Sequence, residues 1–234
     1  MGSINTIAVL YGGSSSEREV SIQSGMGVHN AICDLGYESD LIDFKDLNNL
    51  NELKIYDFIF IALHGFEGES GKLQKDLNDL NILYSGSGPA ACSKTWNKKI
   101  TKKILKENDI NTPISIGISE FSYQVANNGL NMSPYDCFRP FNYLFLKPDE
   151  DGSSIDIFKI SDDESLKNAY KKCTNNKRGF LFEEYIEGRE LTVTVIDKEC
   201  FPPIEIITKN EFYDYDAKYI SCLLYTSDAA DDTP

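Results

Sequence analysis

Lysines, carboxylates and hydroxyls able to handle a phosphorylated ligand recur in this chain at the ends of short apolar runs. Lys147 closes the run Tyr143-Leu144-Phe145-Leu146 and precedes Gly152-Ser153-Ser154. A lysine fixed at a strand end, facing a mobile Gly-Ser-Ser loop, has the chemistry of a phosphate clamp with a lid. The plainer alternative is an ordinary hairpin connection, the commoner use of a glycine and two serines between strands. Glu183 and Glu190 lie at the end of a second strand-like run, where carboxylates either accept from an adenine amino group and ribose hydroxyls or simply meet solvent. Phe212-Tyr213-Asp214-Tyr215-Asp216-Ala217-Lys218-Tyr219 gathers aromatics and acids around one lysine, as a folded loop over a site would. Lys98 lies in a lysine-rich stretch whose ordinary meaning is a solvated helix face, although its side chain can also reach a nucleotide. Glu17 follows Gly12-Gly13-Ser14-Ser15-Ser16, and His64 opens His64-Gly65-Phe66-Glu67-Gly68-Glu69-Ser70-Gly71. The first of these turns lacks the G-x-G-x-x-G spacing of dinucleotide binders and places a carboxylate where a pyrophosphate would need amide donors. Glu17 there suits an ammonium group, or else complements a helix dipole; the turn alone leaves both open.

Alternating elements must position these groups. Residues 6–11 read as a strand, 17–35 as a helix stopped by a left-handed Gly36, and 37–44 and 57–62 as the next two strands. Strands alternating with helices imply a doubly wound parallel sheet with its ligands at the carboxyl ends of the strands. Residues 72–80 read as a helix, 82–84 as a short strand, and 89–108 as one long helix with Pro89 in its first turn. A second domain begins with a strand at 114–118, and 120–141 is irregular. Residues 143–160 form two strands around the polar loop. Ser161-Asp162-Asp163-Glu164 matches a capping box, with the hydroxyl at the cap and the carboxylate three residues on. The helix after it carries Leu166, Ala169, Tyr170 and Cys173 on one face. Residues 179–186 make a further strand, and 191–196 with 201–207 a hairpin around Asp197 and Lys198.

Composition bounds the partners. The 234 residues carry a net charge of −14, a field that opposes nucleic acid and anionic membranes. It does not exclude a nucleotide, because contacting lysines act well inside the ~8 Å screening length of physiological salt. Six cysteines without a C-x-x-C pair read as reduced thiols, and two histidines leave little for a His-based zinc site. No apolar run approaches the roughly 18 residues of a membrane span. These features place the protein in the cytoplasm. The start Met1-Gly2-Ser3-Ile4-Asn5-Thr6 fits the loose myristoylation pattern, but Ile4 already leads into the first strand.

Taken in order, GGSSSEREVS, ALHGFEGESGKLQ, YSGSG, LFLKPDEDGSS, EEYIEGREL and FYDYDAKY resemble the D-alanine–D-alanine ligases, ATP-grasp enzymes of peptidoglycan synthesis. The likeness runs from Ile4 to Ser221. It implies an α/β protein with a doubly wound parallel-sheet N-terminal domain (1–97), an ATP-grasp α+β domain (98–182) and the start of an incomplete third domain (183–221). It also implies a chemistry in which ATP phosphorylates a first D-alanine and a second attacks the acyl phosphate. By resemblance Glu17 holds the first ammonium, tied to Ser153 and Tyr219, and His64 lies near the first carboxylate. Lys98, Lys147 and Lys218 contact ATP phosphates beside Ser154. Glu183 and Glu190 take adenine and ribose, with main-chain contacts from Glu184, Tyr185 and Ile186. Tyr219 favours an amine acceptor, with ligases to D-serine or D-lactate as alternatives. Asp156 and Ser70 depart from the pattern, which has a small residue and an aspartate there.

The resemblance stops at Ser221, and residues 222–234 read as a non-native tail. The family's Mg2+ ligands lie beyond that point, so the expectation is a ligase fragment, inactive as it stands, with metal ligands absent and an unpaired, apolar sheet edge at 191–207. The intact protein is expected to be a homodimer. A nucleotide-binding module without catalysis is the rival class. A dinucleotide-dependent oxidoreductase is a more distant one, opposed by the missing glycine fingerprint.

Overall fold

The computed structural model describes residues 4–118, 144–152, 156–174, 178–207 and 225–228, which fall into two compact units. The first comprises residues 1–110 with 150–152, and the second comprises 111–149 with 153–234.

In the first unit, β1 (Thr6–Tyr11) is the centre of a parallel sheet, with β2 (Glu38–Asp43) on one side and β3 (Phe58–Ile61) on the other. The alternation along β1 explains how both faces are covered. Ala8 and Leu10 point into a core with Ile59, Leu73 and Leu77, the last two from α3 (Lys72–Asp79). Tyr11 points the other way, against α1 (Arg18–Asp34), where a Cβ on Gly25 would stand 2.4 Å from the Tyr11 Cβ. Gly25 therefore lets this helix sit close to the sheet. Gly36 ends α1 at φ +87, as its position after the apolar repeat requires. The short α2 (Phe66–Glu69) precedes α3.

Two local expectations change. Residues 82–84 supply only one parallel bridge, Ile59 to Tyr84, in place of a strand. The expected helix over 89–108 is two helices, α4 (Pro89–Trp96) and α5 (Lys98–Glu107), broken at Asn97. Asn97 takes extended angles, its side-chain oxygen accepts from the Ile100 amide at 3.1 Å, and its amide nitrogen donates to Glu150 at 3.0 Å. An N-cap and a tertiary contact together outweigh the hydrogen bond a continuous helix would gain.

The second unit holds an antiparallel sheet in the order β4-β7-β5-β6, formed by Ser115–Gly117, Phe180–Glu184, Leu144–Pro148 and Phe158–Ile160. One face, with Leu144, Leu146, Ile160, Phe180 and Phe182, packs on Leu166, Ala169 and Cys173 of α6 (Asp163–Thr174). The cap of α6 is Asp162, one residue later than the Ser161–Glu164 box predicts. Its carboxylate accepts from the Ser165 amide at 2.7 Å, and the Ser165 hydroxyl accepts from the Asp162 amide at 3.1 Å. The bond from the Ser165 amide holds the Asp162 carboxyl below the usual carboxylate range.

The predicted turn is present. β9 (Val195–Ile196) and β10 (Glu199–Cys200) meet at Asp197 and Lys198, both at positive φ, the geometry a two-residue hairpin requires. β8 (Glu190–Thr192) and β11 (Ile204–Ile207) pair antiparallel, and β12 (Tyr225–Asp228) pairs with the other side of β11. β12 thus covers one side of β11, while β8, within the 191–207 stretch expected to expose an edge, stays at the margin of its sheet among the described residues. Leu191, Val193, Val195, Ile196 and Phe201 are nevertheless exposed. The described cysteines, Cys33, Cys92, Cys173 and Cys200, are free thiols, and burial raises that of Cys173 to about 11. Among the described residues no helix is long and apolar enough to cross a membrane.

Candidate functional site

In the first unit the loops after β1 and β3 are locked to each other. The Ser21 hydroxyl accepts from the Gly12 amide at 2.9 Å and donates to the Ala62 carbonyl at 2.7 Å. Glu67 accepts from both the amide and the hydroxyl of Ser14, at 2.8 and 2.6 Å, and Ser15 donates to the His64 carbonyl at 3.1 Å. Arg18 forms a two-pronged pair with Asp43 and also donates to the Gly13 carbonyl, while Asp43 accepts from the Gly13 amide. The Arg18 guanidinium accordingly holds the Asp43 carboxyl down at about 2.

This framework carries Glu17 into the interior. It occupies the N-cap position of α1 but makes no capping hydrogen bond, and it is only 1% exposed. The dipole reading of Glu17 loses ground on both counts, since a first-turn acid serving the dipole normally stays in solvent. Instead Glu17, His64 and Glu69 converge, with their ligating atoms within 4.8 Å of one another. Gly65 makes that approach possible. Its φ is +72, a conformation side chains rarely adopt, and a Cβ added there would crowd a Glu17 carboxylate oxygen at 3.2 Å. His64 is held from two sides, by the Ser24 hydroxyl 3.2 Å from Nε2 and by Glu69 3.8 Å from Nδ1. Burial, reinforced by the charge of Glu17, raises the Glu69 carboxyl above its ordinary range, against the opposing pull of the Gly65 amide and of His64. Two carboxylates beside a single imidazole have the chemistry to attract a cation. Gly152 passes over both, since a Cβ there would lie 3.6 Å from each.

Lys98 starts α5, where a lysine works against the helix dipole. The break at Asn97 aims it at the Glu150–Gly152 segment, and its ammonium donates to the Asp151 carbonyl at 2.7 Å. Glu69, Lys98 and Asp151 border a cavity of 640 Å3 that also reaches Gln74, Cys92 and Trp96. Ser70 accepts weakly from the Lys72 amide at 3.4 Å, a turn contact within its own loop.

In the second unit the antiparallel register places the sequence-predicted groups on one sheet face. Phe145 lies opposite Glu183 and Lys159, and Lys147 opposite Leu181, so Phe145, Lys147, Lys159 and Glu183 all point away from α6. Lys147 and Glu183 form a largely buried ion pair. Tyr185 continues the same face, its ring 5.6 Å from that of Phe145 and 5.2 Å from the Lys159 ammonium. Sequence reasoning missed Phe145 and Lys159; their alternation with Leu144 and Leu146 across a strand pair was the available signal. Ile186 and Glu190 are exposed beyond β7, and neither joins the Lys147–Glu183 pair. Asp156, which departs from the family pattern, sits at φ 54 and pairs with Arg178. Ser153, Ser154, Lys218 and Tyr219 lie outside the described residues.

Comparison with known proteins identifies the family. A family model described as D-ala D-ala ligase C-terminus matches residues 115–230. The chain is 38% identical over 221 residues to the D-alanine–D-alanine ligase of Bordetella pertussis, covering 92% of this chain and 67% of that protein. It is 35% identical over 215 residues to D-alanine–D-alanine ligase B of Clostridium perfringens, covering 91% and 68%. The D-alanine–D-alanine ligase of Bacillus anthracis complexed with ATP superimposes with a TM-score of 0.75 at 27% identity, over 99% of this chain and 72% of that one. The VanG D-Ala:D-Ser ligase of Enterococcus faecalis gives 0.68 at 26% identity, over 96% and 76%. With an ATP-grasp architecture, a family-model match and this level of identity over two thirds of its relatives' length, the chain belongs to the D-alanine–D-alanine ligase family.

Proposed function

We propose that this chain carries the substrate- and nucleotide-binding groups of an ATP-dependent ligase that joins two D-alanines for peptidoglycan synthesis. The burial of Glu17 against His64 and Glu69 carries the reading. It forms a recess of negative charge matched to the ammonium of the first D-alanine, with His64 near that substrate's carboxylate. The carboxylate oxygen attacks the γ-phosphorus of ATP, ADP leaves, and the amine of the second D-alanine adds to the acyl phosphate. The tetrahedral intermediate then expels phosphate and leaves the amide bond. Lys98 and Lys147 neutralise phosphate charge, and Glu183, Glu190 and the main chain at Tyr185 and Ile186 hold adenine and ribose. Catalysis of this kind rests on positioning and charge stabilisation. Ser153, Ser154, Lys218 and Tyr219 complete the proposal from their sequence positions, and Tyr219 favours an amine acceptor.

The resemblance also brings Mg2+. Among the described residues the only cluster with metal-ligand spacing, Glu17–His64–Glu69, contains an imidazole and is ill matched to a cation that prefers oxygen ligands. No step is assigned to the metal. A cytoplasmic homodimer is part of the same proposal.

The test is phosphate release from ATP on addition of D-alanine and Mg2+, by this chain and by the chain continued from Ser221 with a relative's remaining sequence. D-alanine-dependent release by either supports the reading, and D-serine and D-lactate arms assign the acceptor. ATP binding without such release from either folded protein supports the non-catalytic nucleotide-binding module instead.

A further inference from the structure

One pair of metal-ligating side chains takes no part in the proposed chemistry. His29 and Cys33 stand four residues apart on α1, so that one lies a turn beyond the other on a single helix face. The Cys33 thiol is free and exposed, and its Sγ is 3.9 Å from Nε2 of the half-buried His29. The other ring nitrogen, Nδ1, is 2.9 Å from the hydroxyl of Ser39 on β2. The tautomer that donates its Nδ1 proton to Ser39 presents the Nε2 lone pair to Cys33, the arrangement in which an outer polar group orients a ligating imidazole. A thiolate and an imidazole nitrogen bound to one tetrahedral Zn2+ lie about 3.6 Å apart, from bond lengths of about 2.3 and 2.1 Å. The pair thus has only a few tenths of an ångström to close. Glu17 lies at the opposite end of α1, about 18 Å along the helix axis from His29.

We propose that His29 and Cys33 form a surface chelate for a thiophilic divalent cation of the Zn2+ or Cd2+ type, bound through His29 Nε2 and the Cys33 thiolate. The Cys33 proton passes to water on binding, no electron is transferred, and water fills the remaining coordination positions. Two donors are fewer than Glu17, His64 and Glu69 offer, but sulfur and nitrogen make the softer set, selective against Mg2+ and Ca2+. The metal ties successive turns of α1 to each other and, through the contact of His29 with Ser39, to β2, so occupancy stabilises this part of the first unit. The site uses no group assigned to D-alanine or ATP and stands independently of the ligase reading.

The experiment titrates the full chain, first dialysed against a chelator and then freed of it, with Cd2+ alone, and follows the thiolate-to-cadmium charge-transfer absorption in the ultraviolet. The expected result is a saturable band with one Cd2+ per chain, displaced by Zn2+ and unaffected by excess Mg2+, together with a thermal unfolding midpoint that rises with Zn2+. Cys33→Ser abolishes the band, and His29→Gln weakens binding at least tenfold. Should a variant misfold, Zn2+ protection of Cys33 from iodoacetamide, with the exposed Cys200 as the unprotected reference, reads the same occupancy in the unaltered chain. A band that survives Cys33→Ser places the metal on another thiol, and equal affinity in His29→Gln reduces the site to capture by one thiol. Either result overturns the proposal, as do displacement by Mg2+, absorption that never saturates, or labelling of Cys33 that Zn2+ leaves unchanged.

Discussion

Glu17 shows how depth bears on the meaning of one residue. Its type and position allow two roles, and burial without a capping bond favours the ammonium-binding role proposed above. Replacing Glu17 by Gln keeps shape and removes charge. We expect D-alanine affinity, measured by calorimetry, to fall about 10- to 150-fold, the range for a charge-assisted hydrogen bond, with ATP affinity unchanged. Glu69 answers differently. Its folded pKa is raised, so the ionised form is disfavoured in the fold, and its contribution to stability declines as pH rises through that value. Glu69→Gln is therefore expected to raise the unfolding midpoint at pH 7 and to leave it unchanged at pH 4, while weakening D-alanine binding. A midpoint shift of the same size at both pH values would refute the linkage. Neither the convergence of Glu17 with His64 and Glu69 nor the Lys147–Glu183 pair was visible as residue spacing, because both depend on loops and registers brought together over long sequence distances.

At the level of elements, the sequence was most legible where local physics decides alone. The β1–turn–α1 unit, the Gly36 stop and the Asp197–Lys198 hairpin turn all follow from apolar period and from residues tolerant of positive φ. It was least legible where local and tertiary preferences compete. Lysines and alanines around Asn97 favour an unbroken helix, and only the contact with Glu150, 53 residues away, reveals the break. Asp162 and Ser161 are both good caps, and the reciprocal bond with Ser165 decides between neighbours. On the proposed assignment of Lys98 to phosphate, the break at Asn97 matters to function because it orients that side chain. Asn97→Ala is expected to cost about 1 kcal/mol in denaturant unfolding, the usual value of an N-cap. It should weaken ATP more than a substitution of equal cost on the solvent side of α3, measured by fluorescent-nucleotide titration.

For the molecule as a whole, a charge of −14 and a polyanionic substrate oppose each other. Long-range repulsion is screened between about 10 and 150 mM salt, as the screening length falls from about 30 to 8 Å, while the proposed contacts to Lys98 and Lys147 act at shorter range. The ATP association rate, followed by stopped flow, is therefore expected to rise about two- to fivefold over that interval, and that of zwitterionic D-alanine to stay level. A rate that falls with salt would mean that a local basic field governs approach.

The Lys147–Glu183 ion pair has a consequence for selection among nucleotides. On the proposed assignment, phosphate draws on the lysine and the adenine amino group on the glutamate, so each half of ATP must separate two charges that already satisfy one another. Adenosine alone, or triphosphate alone, meets that cost in full and leaves one buried charge stranded. ATP meets it once and satisfies both. The pair thus acts as a two-key lock, and adenosine and triphosphate are expected to bind together more tightly than either does singly, with Lys147→Met abolishing the cooperativity in a competition titration.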